Sequence, residues 1–215
     1  MCAKLLILES PGKVKKVQSF LGPDWKVVAS VGHVRDLPVK EMGVAAPDFK
    51  PHYQPTERGA DVLKRLGALA KQADVVYLAT DPDREGEAIA WHVADALKLK
   101  DAKRVTYGEI TESAVKAAVQ SPRAIDMALV AAQEGRRVLD RFCGYLVSGP
   151  LSRAVGTRLS AGRVQSPALR LVVERERAIT SFVSVTHYGA ELSFEGWKAA
   201  WVVKSWIEPG QEYFQ

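Results

Sequence analysis

Hydrophobic and polar positions follow two alternating patterns in the first half of the chain. Short apolar runs, typical of buried strands, occur at residues 5–8, 25–31, 75–79 and 104–107. Between and after these runs, apolar residues repeat at helical spacing and predict helices over residues 14–21, 57–72, 85–97 and 111–119. Alternating strands and helices are typical of a mostly parallel sheet flanked by helices, so we predict an α/β fold for this part.

The pattern changes after Ser121. Apolar residues then follow helical spacing at positions 125, 129, 132, 139, 142 and 146, and a further helix is predicted over residues 168–179. Beyond residue 181, apolar and polar positions alternate at 188, 190, 192, 194, 200 and 202, which predicts a hairpin. We therefore expect a domain boundary near residues 121–122. The stretch 38–56, rich in Pro, Lys and Gly, is predicted to be a long loop.

The most acidic stretch of the chain directly follows the third apolar run. Asp81, Asp83, Glu85 and Glu87 all lie within eight residues of the predicted strand end. In an open parallel sheet, the carboxyl end of a strand is where ligands bind. Carboxylates this close repel one another unless a cation is near, and their oxygens suit a hard divalent ion such as Mg²⁺. The sequence therefore predicts a magnesium site here.

Several known loop types fit these motifs less well than a magnesium site. An EF-hand loop that starts at Asp81 would need Glu where the chain has His92, and a helix rather than a strand before it. Two simpler explanations are that the acids only stabilise a helix N-terminus, or that they form a solvated run of charges. Neither explains why four carboxylates directly follow a buried strand. A nucleotide triphosphate loop at Gly12-Lys13 is excluded, because residue 7 is Ile and Val14 follows the lysine.

Composition places the chain among ordinary globular proteins. Of its 215 residues, 47% are hydrophobic and 26% are charged, and no apolar run approaches the length of a membrane span. A strand-like run begins almost at Met1, so we expect no signal peptide and a cytoplasmic location. Cys2 and Cys143 are far apart, which supports neither a disulfide framework nor a zinc site.

The basic residues are unevenly distributed. The net charge of +5 is a mild indication of a polyanionic partner. Between Lys116 and Lys198 there is no lysine, and the ten basic residues are all arginine. Arginine makes bidentate contacts with phosphate and stacks on bases, so this half of the chain is typical of a nucleic-acid surface.

Five stretches match a known family in their order along the chain. They are Leu8-Glu9-Ser10-Pro11 with Lys13, and residues 30–38, 79–92, 108–111 and 160–167. In these stretches the chain resembles the type IA DNA topoisomerases. The acidic stretch alone is shared with other Toprim proteins. Residues 160–167 together with the Gly32-His33 turn are specific to the type IA enzymes.

The resemblance implies a Toprim domain over residues 3–112. It implies a helical domain over 121–180 that lines the path of single-stranded DNA, and the start of a β unit over 181–215. The implied reaction is Mg²⁺-dependent and needs no ATP: a tyrosine breaks one DNA strand, holds it covalently, and the strand is rejoined after another has passed. The substrate would be negatively supercoiled DNA. The resemblance also implies a monomer in the cytoplasm, associated with the nucleoid and not with a membrane.

The resemblance also implies roles for particular residues. Glu9, Lys13 and Glu85 would be catalytic, with Lys13 on the scissile phosphate. The metal ligands would be Glu9, Asp81 and Asp83. The residues near DNA would be His33, Arg136, Arg137, Asp140, Tyr145, Ser160, Ala161, Gly162, Arg163, Val164 and Gln165.

The sequence departs from the family in one respect. None of the tyrosines, at positions 53, 77, 107, 145, 188 and 213, lies in the Tyr-x-Arg-Thr context in which the family keeps its nucleophile. The chain is therefore expected to be an N-terminal portion that is inactive by itself. Two alternatives stay open: another Toprim enzyme such as a primase or nuclease, and a non-catalytic binder of single-stranded DNA.

Overall fold

The computed structural model of the protein describes residues 4–184, 186 and 189–200. The strands are β1 (Lys4–Leu8), β2 (Trp25–Ala29), β3 (Arg35–Asp36), β4 (Gln54–Pro55), β5 (Val75–Ala79), β6 (Lys103–Arg104), β7 (Glu191–Phe194) and β8 (Trp197–Ala200). The helices are α1 (Val14–Leu21), α2 (Glu57–Ala70), α3 (Arg84–Ala96), α4 (Glu112–Gln120), α5 (Met127–Val155) and α6 (Gln165–Thr180). None of the helices in the described residues is long and apolar enough to cross a lipid bilayer.

The centre of the fold is a parallel sheet with the strand order β2-β1-β5-β6. In its register, Leu8 pairs with both Ala29 and Ala79, so β1, β2 and β5 end at the same level. The predicted α/β fold is confirmed. The register also places Glu9 beside Thr80 at one edge of the sheet, where the acidic stretch begins.

Both faces of the sheet are buried, which is why its strands are apolar at almost every position. Leu5, Ile7 and Leu78 pack with α2 and α3 on one face. Leu6 and Leu8 pack with α1 and α4 on the other face. The two layers of helices fix the sheet edge that carries Glu9 and the acidic stretch.

Some predicted elements differ in extent. The second strand ends at Ala29, not at residue 31, because Val31 has a positive φ of 61° and Gly32 one of 82°. The last strand of the sheet is only Lys103–Arg104, after which an isolated bridge joins Arg104 to Arg123. The long loop of residues 38–56 includes a short strand, β4, which pairs with β3.

The second half of the chain is helical, as predicted. Asp126 caps α5 by accepting hydrogen bonds from two backbone amides, so Ile125 lies outside that helix. By compactness the chain divides into residues 1–163 and 164–215, and α5 packs on α3 within the first unit. The domain boundary near residues 121–122 stays a prediction.

The second compact unit contains α6 and a hairpin. Helix α6 begins at Gln165, three residues before the predicted start, and all its residues are exposed. Strands β7 and β8 form an antiparallel hairpin, in which the rings of Phe194 and Trp197 stack 4.0 Å apart. Tyr188 and Val202, which belonged to the predicted hairpin pattern, lie outside the described residues.

Candidate active site

Three of the predicted site residues meet at the carboxyl edge of the sheet. Glu9 follows β1 and Asp81 lies just beyond β5, which is the neighbouring strand. Lys13 lies in a short 3-10 turn, residues Pro11–Lys13, and its Nζ donates to Asp81 Oδ1 at 2.8 Å. A basic and two acidic groups from separate parts of the sequence therefore share one site.

The pKa of Glu9 reflects this crowding. Partial burial raises the pKa of the Glu9 carboxyl above its ordinary value, and the negative charges of Asp81 and Asp83 raise it further. A hydrogen bond from the Asp81 backbone and the positive charge of Lys13 oppose this rise without cancelling it. The raised pKa means that the Glu9 carboxyl holds a proton more readily than an ordinary glutamate does.

Asp83 fixes the start of α3. It is the N-cap residue, and its Oδ1 accepts a hydrogen bond from the Gly86 amide at 2.7 Å. Thr80 Oγ1 donates to the Gly86 carbonyl at 2.5 Å. These two bonds close residues 80–86 into a compact loop, which we call the acidic turn. One oxygen of Asp83 is thus used by the fold itself.

The donor set of the acidic turn is chemically suited to a hard cation. Glu9, Asp81 and Asp83 offer only carboxylate oxygens, which Mg²⁺ prefers. Among the residues that the structure describes, however, no three His, Cys, Asp or Glu side chains are placed to hold one ion together. Mg²⁺ commonly takes only one or two protein carboxylates and fills its shell with water and phosphate oxygens, so a pair such as Glu9 and Asp81 is sufficient.

His33 lies beside Glu85, with its Nε2 2.5 Å from Glu85 Oε1. The turn that presents His33 is strained, because the β-branched Val31 has φ 61°, a region that such residues rarely adopt. The amides of Val31 and Gly32 both donate to the Glu9 carbonyl, at 3.0 and 3.3 Å, which holds the turn against the end of β1. Strained backbone of this kind is concentrated at functional sites.

Glu87 does not belong to the cation site, contrary to the sequence-based expectation of an acidic cluster that includes it. Its side chain is fully buried and is bonded to the equally buried Arg104 at 2.9 Å. Arg123 donates two further bonds at 2.7 Å, and the Asp126 amide donates a fourth. Burial alone would raise the pKa of Glu87, but these bonds outweigh it and lower the pKa to about 2. Glu87 therefore pairs with both arginines inside the fold and not with a cation at the sheet edge.

Polar side chains spaced four residues apart along α5 bond to the sheet domain. Gln133 donates to Glu85 at 3.4 Å, and Arg137 binds both oxygens of Asp36, at 2.8 and 2.7 Å. One turn further on, Arg141 donates to the carbonyls of Pro38 and Glu41, and Tyr145 donates to the Val39 carbonyl. Arg137 and Tyr145 were predicted to lie near DNA. In the structure, both also form hydrogen bonds within the protein.

Arg136 and Asp140 lie on the neighbouring, more exposed face of α5. Asp140 accepts from Arg163 Nε at 2.7 Å and lies 3.8 Å from Arg136. A groove of about 590 Å³ runs from the acidic turn along this face. It is lined by Asp83, Arg84, Glu85, Gln133, Arg136, Arg137 and Asp140. The groove joins the carboxylates of the sheet edge to the arginines of α5.

The predicted DNA-contacting stretch of residues 160–165 is divided between the two compact units. Ser148 on α5 holds Ala161 through both the amide and the carbonyl, at 2.9 and 3.2 Å. This fixes Ser160, Ala161, Gly162 and Arg163 next to α5 in the first unit. Val164 and Gln165 belong to the second unit, where Gln165 lies in the first turn of α6 instead of the predicted loop.

Sequence reasoning missed several residues of the site. A cavity of about 250 Å³ beside His33 is lined by Arg35, Tyr53, His92, Gln133 and other polar residues. Arg35 binds Asp95 at 2.6 Å and His92 at 3.1 Å. The spacing of four residues shared by Gln133, Arg137, Arg141 and Tyr145 could have identified Gln133 and Arg141. No sequence pattern distinguishes Arg104.

The buried His92 predicts a pH-dependent stability. Burial lowers the pKa of His92 to about 3, because an imidazolium cannot be hydrated there. The positive charge of Arg35 and the nearby His33 lower this pKa further, and two nearby aspartates oppose the shift. Below pH 6.5 the unfolded chain therefore binds a proton that the folded protein does not. As the pH drops from about 6.5 towards 3, the contribution of His92 should lower the free energy of unfolding by about 1.4 kcal/mol per pH unit.

Urea denaturation between pH 7.5 and pH 5 measures this slope. The variant His92→Gln should be less dependent on pH across this range, whereas His52→Gln, at an exposed position, should keep the dependence of the unmodified protein. Equal slopes in all three proteins would contradict a neutral His92 in the fold.

Comparisons with known proteins agree with this architecture. The family model described as Toprim domain matches residues 4–112. The family model described as DNA topoisomerase matches residues 124–209. The first model covers the sheet with the acidic turn, and the second covers α5, α6 and the hairpin.

Two individual proteins show the same similarity. The chain is 60% identical to a plasmid DNA topoisomerase I of Xylella fastidiosa (strain 9a5c) over 98% of its length. It is 41% identical to the crystal structure of full-length topoisomerase I from Thermotoga maritima, with a TM-score of 0.76 over 93% of the chain. The chain spans about a third of the length of each, 33% and 35% respectively. It therefore belongs to the Toprim family and, within that family, to the type IA DNA topoisomerases.

Proposed function

We propose that this chain forms the cation and DNA-entry part of an enzyme that breaks, passes and rejoins a single DNA strand through a phosphotyrosine. The reaction depends on Mg²⁺ and not on ATP, since the phosphotyrosine conserves the energy of the broken bond. The substrate is single-stranded DNA exposed in negatively supercoiled DNA. The main support is one juxtaposition: Glu9, Lys13 and Asp81 meet at the edge of the sheet, and the α5 groove with its arginines begins at that edge.

The residues of the acidic turn divide the chemistry between them. Glu9 and Asp81 would hold Mg²⁺, with Asp83 beside them as a further acidic group, and the bound ion would neutralise the charge of a DNA phosphate. Lys13 can exchange its bond to Asp81 for one to a phosphate oxygen, because both partners are anionic oxygens, and there it stabilises charge that develops during transfer. Without the ion, the pKa of the Glu9 carboxyl is raised, so binding of Mg²⁺ would release the proton that this carboxyl then holds.

The arginines of α5 and its C-terminal loop would bind the DNA backbone. Arg136 and Arg163 flank Asp140, which holds the two guanidinium groups near each other on the exposed face. Tyr145 is partly exposed, so its ring can stack on a base. Asp36 already binds Nε and Nη2 of Arg137 and balances its charge, so Arg137 would bind DNA more weakly than Arg136.

The chain alone is expected not to relax supercoiled DNA. None of its six tyrosines has the Tyr-x-Arg-Thr context of the family nucleophile. Binding is therefore the property to test, by fluorescence anisotropy of a labelled single-stranded oligonucleotide with and without Mg²⁺. The Arg136→Ala variant should bind more weakly, and the slope of log K against log salt should become shallower by about 0.7, the value for one phosphate that is no longer neutralised.

Asp81→Ala is the test of the cation site. This variant should lose the effect of Mg²⁺ on DNA binding while it still binds DNA in the absence of Mg²⁺. Lys116→Ala, on the exposed face of α4, is the matched control and should change neither quantity. The unmodified chain could instead bind DNA equally well with and without Mg²⁺, and Asp81→Ala could leave this binding unchanged. That outcome would indicate a non-catalytic binder of single-stranded DNA.

A further inference from the structure

Arg104 holds the acidic turn from inside the protein. It is the largest of the fully buried side chains in the described part of the chain. Its guanidinium donates to the carbonyl oxygens of Thr80 and Asp81, both at 2.8 Å, and to that of Leu78 at 3.2 Å. Its Nε donates to Glu87. One side chain thus fixes the backbone that leads from the end of β5 into the turn.

The backbone of Asp81 is enclosed from a second side by Gly86. A Cβ atom at residue 86 would lie 2.1 Å from the Asp81 carbonyl oxygen, so the start of α3 packs directly on this peptide. The same oxygen accepts the bond from Arg104 Nη2. With its backbone held in this way, Asp81 directs its carboxylate to the opposite, exposed side, where it meets Lys13 and Glu9.

Stability alone is a poor explanation for a guanidinium at this place. The carbonyl of Leu78 also accepts a bond from the Val105 amide at 2.9 Å, so the sheet is complete there without Arg104. Burial of an ion pair such as Arg104 and Glu87 costs hydration, and apolar residues of similar volume are often as stable or more stable. What apolar residues cannot do is orient several carbonyls at once, for which the planar guanidinium is suited.

We propose that Arg104 is a positioning residue, which places the Asp81 carboxylate by holding the backbone of the acidic turn. The consequence for cation affinity rests on the function proposed above, whereas the hold on the turn does not. Arg104 itself is buried behind the turn and contacts neither DNA nor the cation.

The test compares Arg104→Lys with Leu66→Ala in the full chain. Arg104→Lys keeps the charge and loses the planar donors. Leu66→Ala destabilises the core between α2 and the sheet, away from the turn. In Arg104→Lys we expect the amides of residues 80–86 to exchange hydrogen about tenfold faster, relative to the amides of β1. We also expect the affinity for Mn²⁺, which is used as the probe ion, to fall about tenfold. Leu66→Ala should change neither.

A second variant covers the case in which Arg104→Lys does not fold. Arg104→Met combined with Glu87→Leu replaces the buried pair by apolar residues and should fold, with the same faster exchange in residues 80–86. Unchanged exchange in the turn, or an equal fall of Mn²⁺ affinity in Leu66→Ala, would overturn the proposal. If the unmodified chain binds no Mn²⁺ but Arg104→Lys still loosens the turn, Arg104 holds the turn and the proposed function loses its support.

Discussion

Replacement of Glu87 by Leu should destabilise the protein by about 3–5 kcal/mol, a large part of the stability of an ordinary domain. Glu87 accepts four hydrogen bonds, from Arg104, Arg123 and the Asp126 amide. Without it, Arg123 can turn to solvent, because 41% of its side chain is already exposed. Arg104 cannot, because it is fully buried, and it becomes an unpaired charge in the core.

Urea denaturation at pH 7 measures this destabilisation, with Glu112→Leu as the matched control. Glu112 makes an exposed ion pair with Lys116 on α4, so its replacement should change the free energy of unfolding by less than about 0.5 kcal/mol. Similar values for the two variants would show that the buried network contributes nothing beyond a surface pair.

The lowered pKa of Glu87 should also contribute to the loss of stability at acidic pH. The pKa of Glu87 is about 2 in the folded protein and about 4.5 in an unfolded chain. Below pH 4.5 the unfolded chain therefore binds more protons, and stability falls with pH until about pH 2. This part of the acid-induced destabilisation should be missing from the Glu87→Leu/Arg104→Met variant. If that variant kept the full acid dependence, Glu87 would not be the group that titrates.

Replacement of Gly86 by Ala should cost about 3 kcal/mol and disturb the acidic turn. The added Cβ would lie 2.1 Å from the Asp81 carbonyl oxygen and 2.8 Å from its amide nitrogen, both of them backbone atoms. Either α3 must move away from the turn, or the turn must open. Both changes displace Asp81. In Gly86→Ala, DNA binding should therefore lose its dependence on Mg²⁺, in addition to the loss of stability.

Gly135→Ala is the control for this prediction. Gly135 lies within α5, and a Cβ there would meet no atom within 4 Å apart from the chain neighbours and the helix backbone. Because alanine favours a helix interior, this variant should be more stable than the unmodified protein by about 0.5–1 kcal/mol. A Gly86→Ala protein of unchanged stability would mean that the packing between α3 and the turn is looser than the structure shows.

The local pattern of the sequence was sufficient for most of the fold. Apolar runs bounded by polar residues identified β1, β2 and β5, and helical spacing identified α1 to α4, because strand and helix periodicity depend only on neighbouring residues. The caps at Thr56 and Thr111 also follow from local chemistry. The short strands β3 and β4 were missed, since two residues in each cannot form a recognisable pattern.

The site was predicted in part. Glu9 and Asp81 were placed at strand ends by the sequence, and the parallel register of β1 and β5 brings them together. The pairing of Arg137 with Asp36 spans 101 residues, and no local pattern predicts it. Tyr145 was expected to face DNA, but its hydroxyl also bonds to the carbonyl of Val39. Such interactions depend on how α5 lies on the sheet domain.

The amino-acid sequence by itself determined the order of strands and helices, the acids at the strand ends and the family to which the chain belongs. Only the tertiary structure decided which acid serves the site and which serves the core. Asp81 and Glu87 are both carboxylates of one short stretch, but Asp81 faces outward to Lys13 and Glu87 inward to Arg104. The reason is physical: a buried carboxylate is tolerable only where several donors converge on it, and that convergence exists only once the strands and helices have packed.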